Sequence, residues 1–132
     1  MIRIVRLGSA RAPGEGIRIG TVRRPPRGVP KRDYAPRNFY DVWLPNLAPS
    51  EALLKSAAGG LADSDERAWR TFVRKYRAEM KTPDNRAVLA TLAALSHAGD
   101  FSVGCYCADE RRCHRSVLRE LLSEFGAAVR SP

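Results

Sequence analysis

Long apolar runs are missing from this sequence, and no stretch approaches the 18 or so consecutive apolar residues of a membrane-spanning helix. Histidine is nearly absent, with two in 132 residues, and the three cysteines are an odd set packed between positions 105 and 113. Such a set builds no secreted disulfide framework. No helix-turn-helix, P-loop or Gly-x-Gly-x-x-Gly fingerprint occurs. The opening Met1-Ile2-Arg3-Ile4 carries no signal-peptide pattern, so a cytoplasmic protein without a membrane partner is expected. With 44% hydrophobic and 28% charged residues, the composition is that of a globular chain. Its length suits one domain spanning 1–132, a monomer or weak homodimer that needs no metal or disulfide to fold.

Acidic residues are scarce as well, fourteen against twenty-three Lys and Arg. The imbalance is local. Residues 1–40 carry a net charge of +8 and the remaining residues only +1. Clustered guanidinium groups raise the local concentration of phosphates, so the pattern favours an anionic partner. A GC-rich genome also produces an Arg-rich, Ala-rich chain through codon usage alone, and 19 of the 23 basic residues are Arg.

Ile2–Leu7 reads as a first strand, and Ile17, Ile19 and Thr21 alternate with Arg18, Gly20 and Val22 as a second. Between 23 and 49 six prolines exclude a central helix, leaving a long Pro/Arg-rich loop at about 23–38 and a short extended piece near 39–44. Ser50 caps a short helix, and Asp63-x-x-Glu66 reads as a capping-box start for the helix carrying Trp69, Phe72, Val73, Tyr76 and Met80. Thr82-Pro83-Asp84 starts another helix, which Gly99 follows. Phe101–Tyr106 alternates as a strand, and Val117, Leu118, Leu121, Leu122 and Phe125 form the apolar face of the last helix. Strands separated by helices predict a three-layer α/β domain, a small and mostly parallel sheet of three to four strands flanked by helices. The last strand should lie beside the first.

In open α/β sheets, ligands bind outside the carboxyl ends of the strands. That rule gathers three groups: Gly8, Ser9 and Arg11 after the first strand, Arg23, Arg24 and Arg27 after the second, and Cys107 to Arg115 after the last. Cys105 shares a face with Phe101 and Val103 and reads as a buried apolar filler. Cys107 falls at the strand end and Cys113 near a helix start, where a helix N-terminus and arginines lower a thiol pKa. Against this, Asp109 and Glu110 oppose a thiolate, and Cys107-x5-Cys113 has Cys where a Cys-x5-Arg phosphatase loop has Arg. Cys105, Cys107, Cys113 and His114 are metal-ligand types, but neighbours 113 and 114 diverge by about 100° on a helix. No metal and no cofactor is therefore expected. Tyr34, Phe39, Tyr40 and Trp43 could stack on a base; packing is the better reading for Phe39 and Trp43.

Four segments in order carry a resemblance: Pro26-Arg27-Gly28-Val29, Leu47-Ala48-Pro49-Ser50, Trp69-x-x-Phe72-x-x-x-Tyr76-x-x-Glu79 and Cys113-His114-Arg115. Together they resemble the YeaO-like family, a domain-of-unknown-function group of bacterial proteins. The resemblance implies a small single-domain α/β fold and supplies no activity. Val22-Arg23-Arg24-Pro25-Pro26 departs from the Asp-Arg-Leu-Trp-Pro expected in close relatives, which takes an acid or Trp out of consideration there.

The sequence thus predicts a domain binding an anionic, phosphate-bearing ligand, whether a nucleotide, a nucleic-acid end or a small phosphorylated compound. The expected contacts are Ser9, Arg11, Arg23, Arg24, Arg27, Asp109, Arg112, His114 and Arg115. One alternative is a cysteine-dependent enzyme using Cys107 or Cys113 in sulfur transfer or hydrolysis. Another is a nucleic-acid-binding accessory protein using the basic amino-terminal third.

Overall fold

A computed structural model describes residues 1–57 and 65–132. Four parallel strands form one sheet: β1 (Ile2–Arg6), β2 (Ile17–Gly20), β3 (Val42–Trp43) and β4 (Phe101–Cys105), in the order β1-β4-β2-β3. The last strand does lie beside the first, with Ile2 opposite Phe101 and Arg6 opposite Cys105. Four helices follow the strands: α1 (Glu51–Ala57), α2 (Glu66–Glu79), α3 (Pro83–Leu95) and α4 (His114–Glu124). None of the described helices is long and apolar enough to cross a membrane.

Strand alternation sorts the two faces of the sheet. Ile2, Phe101 and Val103 turn toward Phe72, Tyr76, Leu89, Leu118 and Leu122 of the helices, which form the main core. On the other face stand Arg18, Gly20, Ser102 and Gly104, covered by chain from 8–16 and 31–41. The three layers are therefore helices, sheet and ordered loops.

Capping residues start the helices largely where the sequence places them. Thr82 accepts from the Asn85 amide at 3.3 Å, with Pro83 at the first helical position. The α2 cap differs. Asp65 accepts from the Arg67 and Ala68 amides, while Asp63 lies outside the described residues. β2 also stops at Gly20 rather than Val22, and α4 begins at His114, earlier than its apolar face suggests.

The family-like segments prove to be partners of one another. Tyr76 donates to the Leu47 carbonyl at 2.6 Å, and Glu79 accepts from the Ser50 amide at 2.9 Å. Arg23 fastens the same turn, donating to the carbonyls of Pro45, Ala48 and Pro49.

Gly104 lets β1 and β4 come together. A Cβ there would stand 2.6 Å from the Val5 carbonyl oxygen and 2.8 Å from the Leu7 side chain. The backbone oxygen cannot step aside without moving β1. Gly104→Ala is expected to cost about 2–3 kcal/mol through overpacking, read as a lower urea midpoint at unchanged slope. An unchanged midpoint would show that β1 yields freely.

Candidate functional site

Because all four strands are parallel, their carboxyl ends share one edge. The central strand β4 is buried throughout and delivers Cys105, itself buried, to that edge. The chain then surfaces. Tyr106 donates to the Arg24 carbonyl at 3.0 Å, which ties the β4 loop to the chain leaving β2. Cys107 follows, exposed. Asp109 accepts from the Arg111 amide and opens a single turn over Glu110–Arg112. Cys113, extended at φ −129° and ψ 150°, is the cap residue of α4.

This route brings the three thiols into contact. Cys105 donates its S–H to Cys107 Sγ at 3.7 Å. Hydrogen bonds from Cys105 and Cys113 hold the Cys107 thiol well below its ordinary pKa despite partial desolvation, and the charge of Arg115 acts in the same direction. Cys105 is pushed up, first as a hydrogen-bond donor to Cys107 and then by its contact with Cys113 and by burial. For Cys113, a bond from Cys105 lowers the pKa, but donation to Cys107 and burial outweigh it and carry the thiol to about 11. The expectation that Cys113 would be activated by its helix start is thereby corrected, because the buried position and the neighbouring Cys107 dominate.

His114 is also buried. Only a donor can face a carbonyl, so its Nε2–H donates to the Thr21 oxygen at 2.7 Å. The Nδ1 lone pair is left facing Cys113 Sγ at 3.8 Å. Burial lowers the imidazole pKa to about 4, so the ring is neutral at physiological pH. The expected divergence of residues 113 and 114 fails because Cys113 is extended rather than helical. Cys105, Cys113 and His114 place ligand-type atoms within 4.8 Å of one another, a donor set fit for a metal ion.

Arg115 is the least conventional member. It is 3% exposed, donates to the Cys107 carbonyl at 2.6 Å, and its buried Nε meets no acceptor. Among the described residues no carboxylate pairs with it. A buried cation without a counter-charge is costly, so the position calls for an anion.

The remaining arginines do not converge. Arg11 pairs with Asp41 at 2.8 Å, beside the start of β2 rather than its carboxyl end. Arg23 serves the 45–49 carbonyls, and Arg24 pairs with Glu51 on α1. Arg112 is drawn to Glu66 and lies over the Trp69 ring on α2. Arg27 is exposed, and Ser9 bonds the Arg6 carbonyl. Arg11, Arg23, Arg24 and Arg112 each find a local acceptor that the sequence could not locate. The two acids that should oppose a thiolate are also matched, Asp109 by Arg111 and Glu110 by Arg119. Two contributors escaped the sequence reading: the Thr21 carbonyl, which no sequence signal marks, and Arg6, which donates to the Tyr106 carbonyl at 3.2 Å.

A family model, DUF488-N3a, described as the active DUF488-N3 subclade, matches residues 2–126. The chain belongs to this family. The YeaO-like resemblance points to the same DUF488 group. The DUF488-N3a match runs from the first residue of β1 past the last of α4, so the whole thiol cluster lies within it. No curated protein and no solved structure matches the chain.

Proposed function

We propose that this DUF488-N3a protein is a thiol-dependent enzyme in which Cys107 is the nucleophile and Arg115 balances negative charge beside it. The observation that carries the reading is the pairing of an exposed thiol at the carboxyl end of the central strand with a buried guanidinium that meets no carboxylate among the described residues. Position supplies access, hydrogen bonds from Cys105 and Cys113 hold the thiol pKa down, and Arg115 adds a positive charge beside it. The family description, an active subclade, agrees with a chemical role.

In this reading the Cys107 thiolate attacks an electrophilic centre, an S–X bond forms, and the leaving group departs with the bonding electrons. Water or a second nucleophile then releases the product. His114 is not the proton donor, since its only N–H is committed to Thr21. The anionic, phosphate-bearing ligand expected from the sequence enters as the substrate, its charge directed to Arg115. Arg11, Arg23, Arg24 and Arg112 are occupied by the chain itself.

The test is iodoacetamide labelling of the reduced protein near pH 6, with the labelled residue found by mass spectrometry. Cys107 should react about tenfold faster than a free cysteine, because an ordinary thiol holds little thiolate at that pH. Cys107→Ser should remove the fast phase. Labelling of Cys107 no faster than a free thiol would leave the enzyme reading without a nucleophile.

A further inference from the structure

The geometry points to a second property of the same edge: Cys105, Cys113 and His114, with Cys107 as fourth donor, chelate a thiophilic divalent ion of the zinc type, and the bound ion masks the Cys107 thiol. The masking rests on the reading of Cys107 as the reactive thiol, whereas the chelation stands independently of it.

Spacing is the first argument. Two thiolates on one zinc, each about 2.3 Å from the metal, stand about 3.8 Å apart in a tetrahedron. Cys105 and Cys107 are 3.7 Å apart, and Cys113 Sγ lies 3.8 Å from His114 Nδ1. The largest separation among the Cys105, Cys113 and His114 donor atoms is within 4.8 Å. Closing Cys105, Cys113 and His114 on an ion therefore needs side-chain adjustments of about 1 Å, while Cys107, which stands outside that 4.8 Å set, turns in from the exposed loop beside Cys105.

The second argument is the tautomer. A metal-bound imidazole usually gives its other N–H to a carbonyl or carboxylate, which fixes the ring and raises its basicity. His114 already donates Nε2–H to Thr21 and points Nδ1 at the thiols. Charge supplies the third. Three thiolates and a neutral imidazole around a doubly charged cation sum to −1, and the buried Arg115 stands beside them with no carboxylate paired to it among the described residues. Sulfur-rich donors select zinc over magnesium or calcium. The three thiol protons leave to solvent on binding, so affinity rises with pH. Because Cys107 is exposed, an ion reaches the cluster through the residue it masks.

Cobalt(II) is the probe, added to the reduced, metal-free full chain. The expected result is a saturable thiolate-to-cobalt charge-transfer band with the strong visible bands of a tetrahedral site, bleached by zinc. The spectrum should be lost in Cys113→Ser and weakened in His114→Ala, with circular dichroism confirming that each variant is folded. Should both variants unfold, the wild-type spectrum still decides: a weak octahedral spectrum without charge transfer overturns the site. A thiolate band unchanged in a folded His114→Ala protein does so as well. In parallel, zinc should slow iodoacetamide labelling of Cys107 by about tenfold, with a chelator restoring the rate. Fast labelling that zinc does not slow overturns the masking. Slow labelling in the metal-free protein removes the thiol-enzyme reading, and with it the masking, while cobalt still judges the chelation.

Discussion

Glu15→Gln is expected to lower the stability of this fold by about 3–5 kcal/mol at neutral pH, because it strands a buried cation. Arg18 is 0% exposed and Glu15 is 3% exposed. The two meet in a bidentate pair at 2.7 and 2.9 Å. Ser102 of β4 donates to the same carboxylate at 2.8 Å and the Ala12 amide at 3.1 Å. The remaining Arg18 nitrogen donates to the Ser9 and Asn38 carbonyls. One pair thus joins β2, β4 and both loops of the outer layer. Glutamine keeps the shape but presents an N–H to a guanidinium and removes the carboxylate paired directly with it.

The pH dependence follows from the same contacts. Burial alone would raise the Glu15 pKa, but the bonds from Arg18, Ser102 and Ala12 outweigh it and hold it at about 2, against an ordinary 4.5. Its folded pKa is therefore the lower one. The stabilisation is complete above about pH 4.5 and is lost as pH falls toward 2, a difference of about 3 kcal/mol across the window. Urea unfolding of wild type and variant at neutral pH and near pH 2 should show the gap narrowing. A gap of equal size at both pH values would mean that the loss comes from packing and not from charge.

This pair also shows where the sequence falls silent. Alternation in Ile17–Thr21 places Arg18 opposite Ile17 and Ile19, which on a half-exposed sheet means solvent. The loops that cover that face are set by contacts such as Tyr40 against Gly20, between residues twenty apart with no periodic pattern. A parallel sheet covered on both faces buries both sets of side chains, and glycine, serine and a paired arginine fill the second face here. By contrast, the helix-facing side was legible. Phe72, Tyr76, Leu118 and Leu122 recur at helical spacing because one stripe of each helix must meet the sheet.

The site was legible in the same uneven way. A mostly parallel sheet predicts that residues after β1, β2 and β4 share an edge, and in the all-parallel sheet Tyr106 donates to the Arg24 carbonyl there. Where each guanidinium would point did not follow, since a long flexible side chain takes the nearest acceptor that the folded chain offers. Arg11 found Asp41, and Arg112 found Glu66 and Trp69. The Cys113-His114-Arg115 triplet was marked by its chemistry, but its geometry depends on a single extended residue before α4.

Arg115→Met is the variant in which the two buried arginines part company. Arg18 has a carboxylate and Arg115 has none among the described residues, so Met in place of Arg115 leaves no stranded carboxylate there and removes a buried charge. One charged hydrogen bond, to the Cys107 carbonyl, goes with it. The two effects oppose each other, and the net change in stability should stay within about 1 kcal/mol. The thiol should respond far more: with the neighbouring positive charge gone, Cys107 loses thiolate, and its labelling near pH 6 should fall about tenfold. Arg115→Lys, which keeps a charge but loses the planar fork, should fall in between. A purely structural arginine would give the reverse pattern, a large drop in urea midpoint with the rate of Cys107 in the folded protein unchanged. That result would detach Arg115 from the thiol and leave the hydrogen bonds from Cys105 and Cys113 as what holds the Cys107 pKa down.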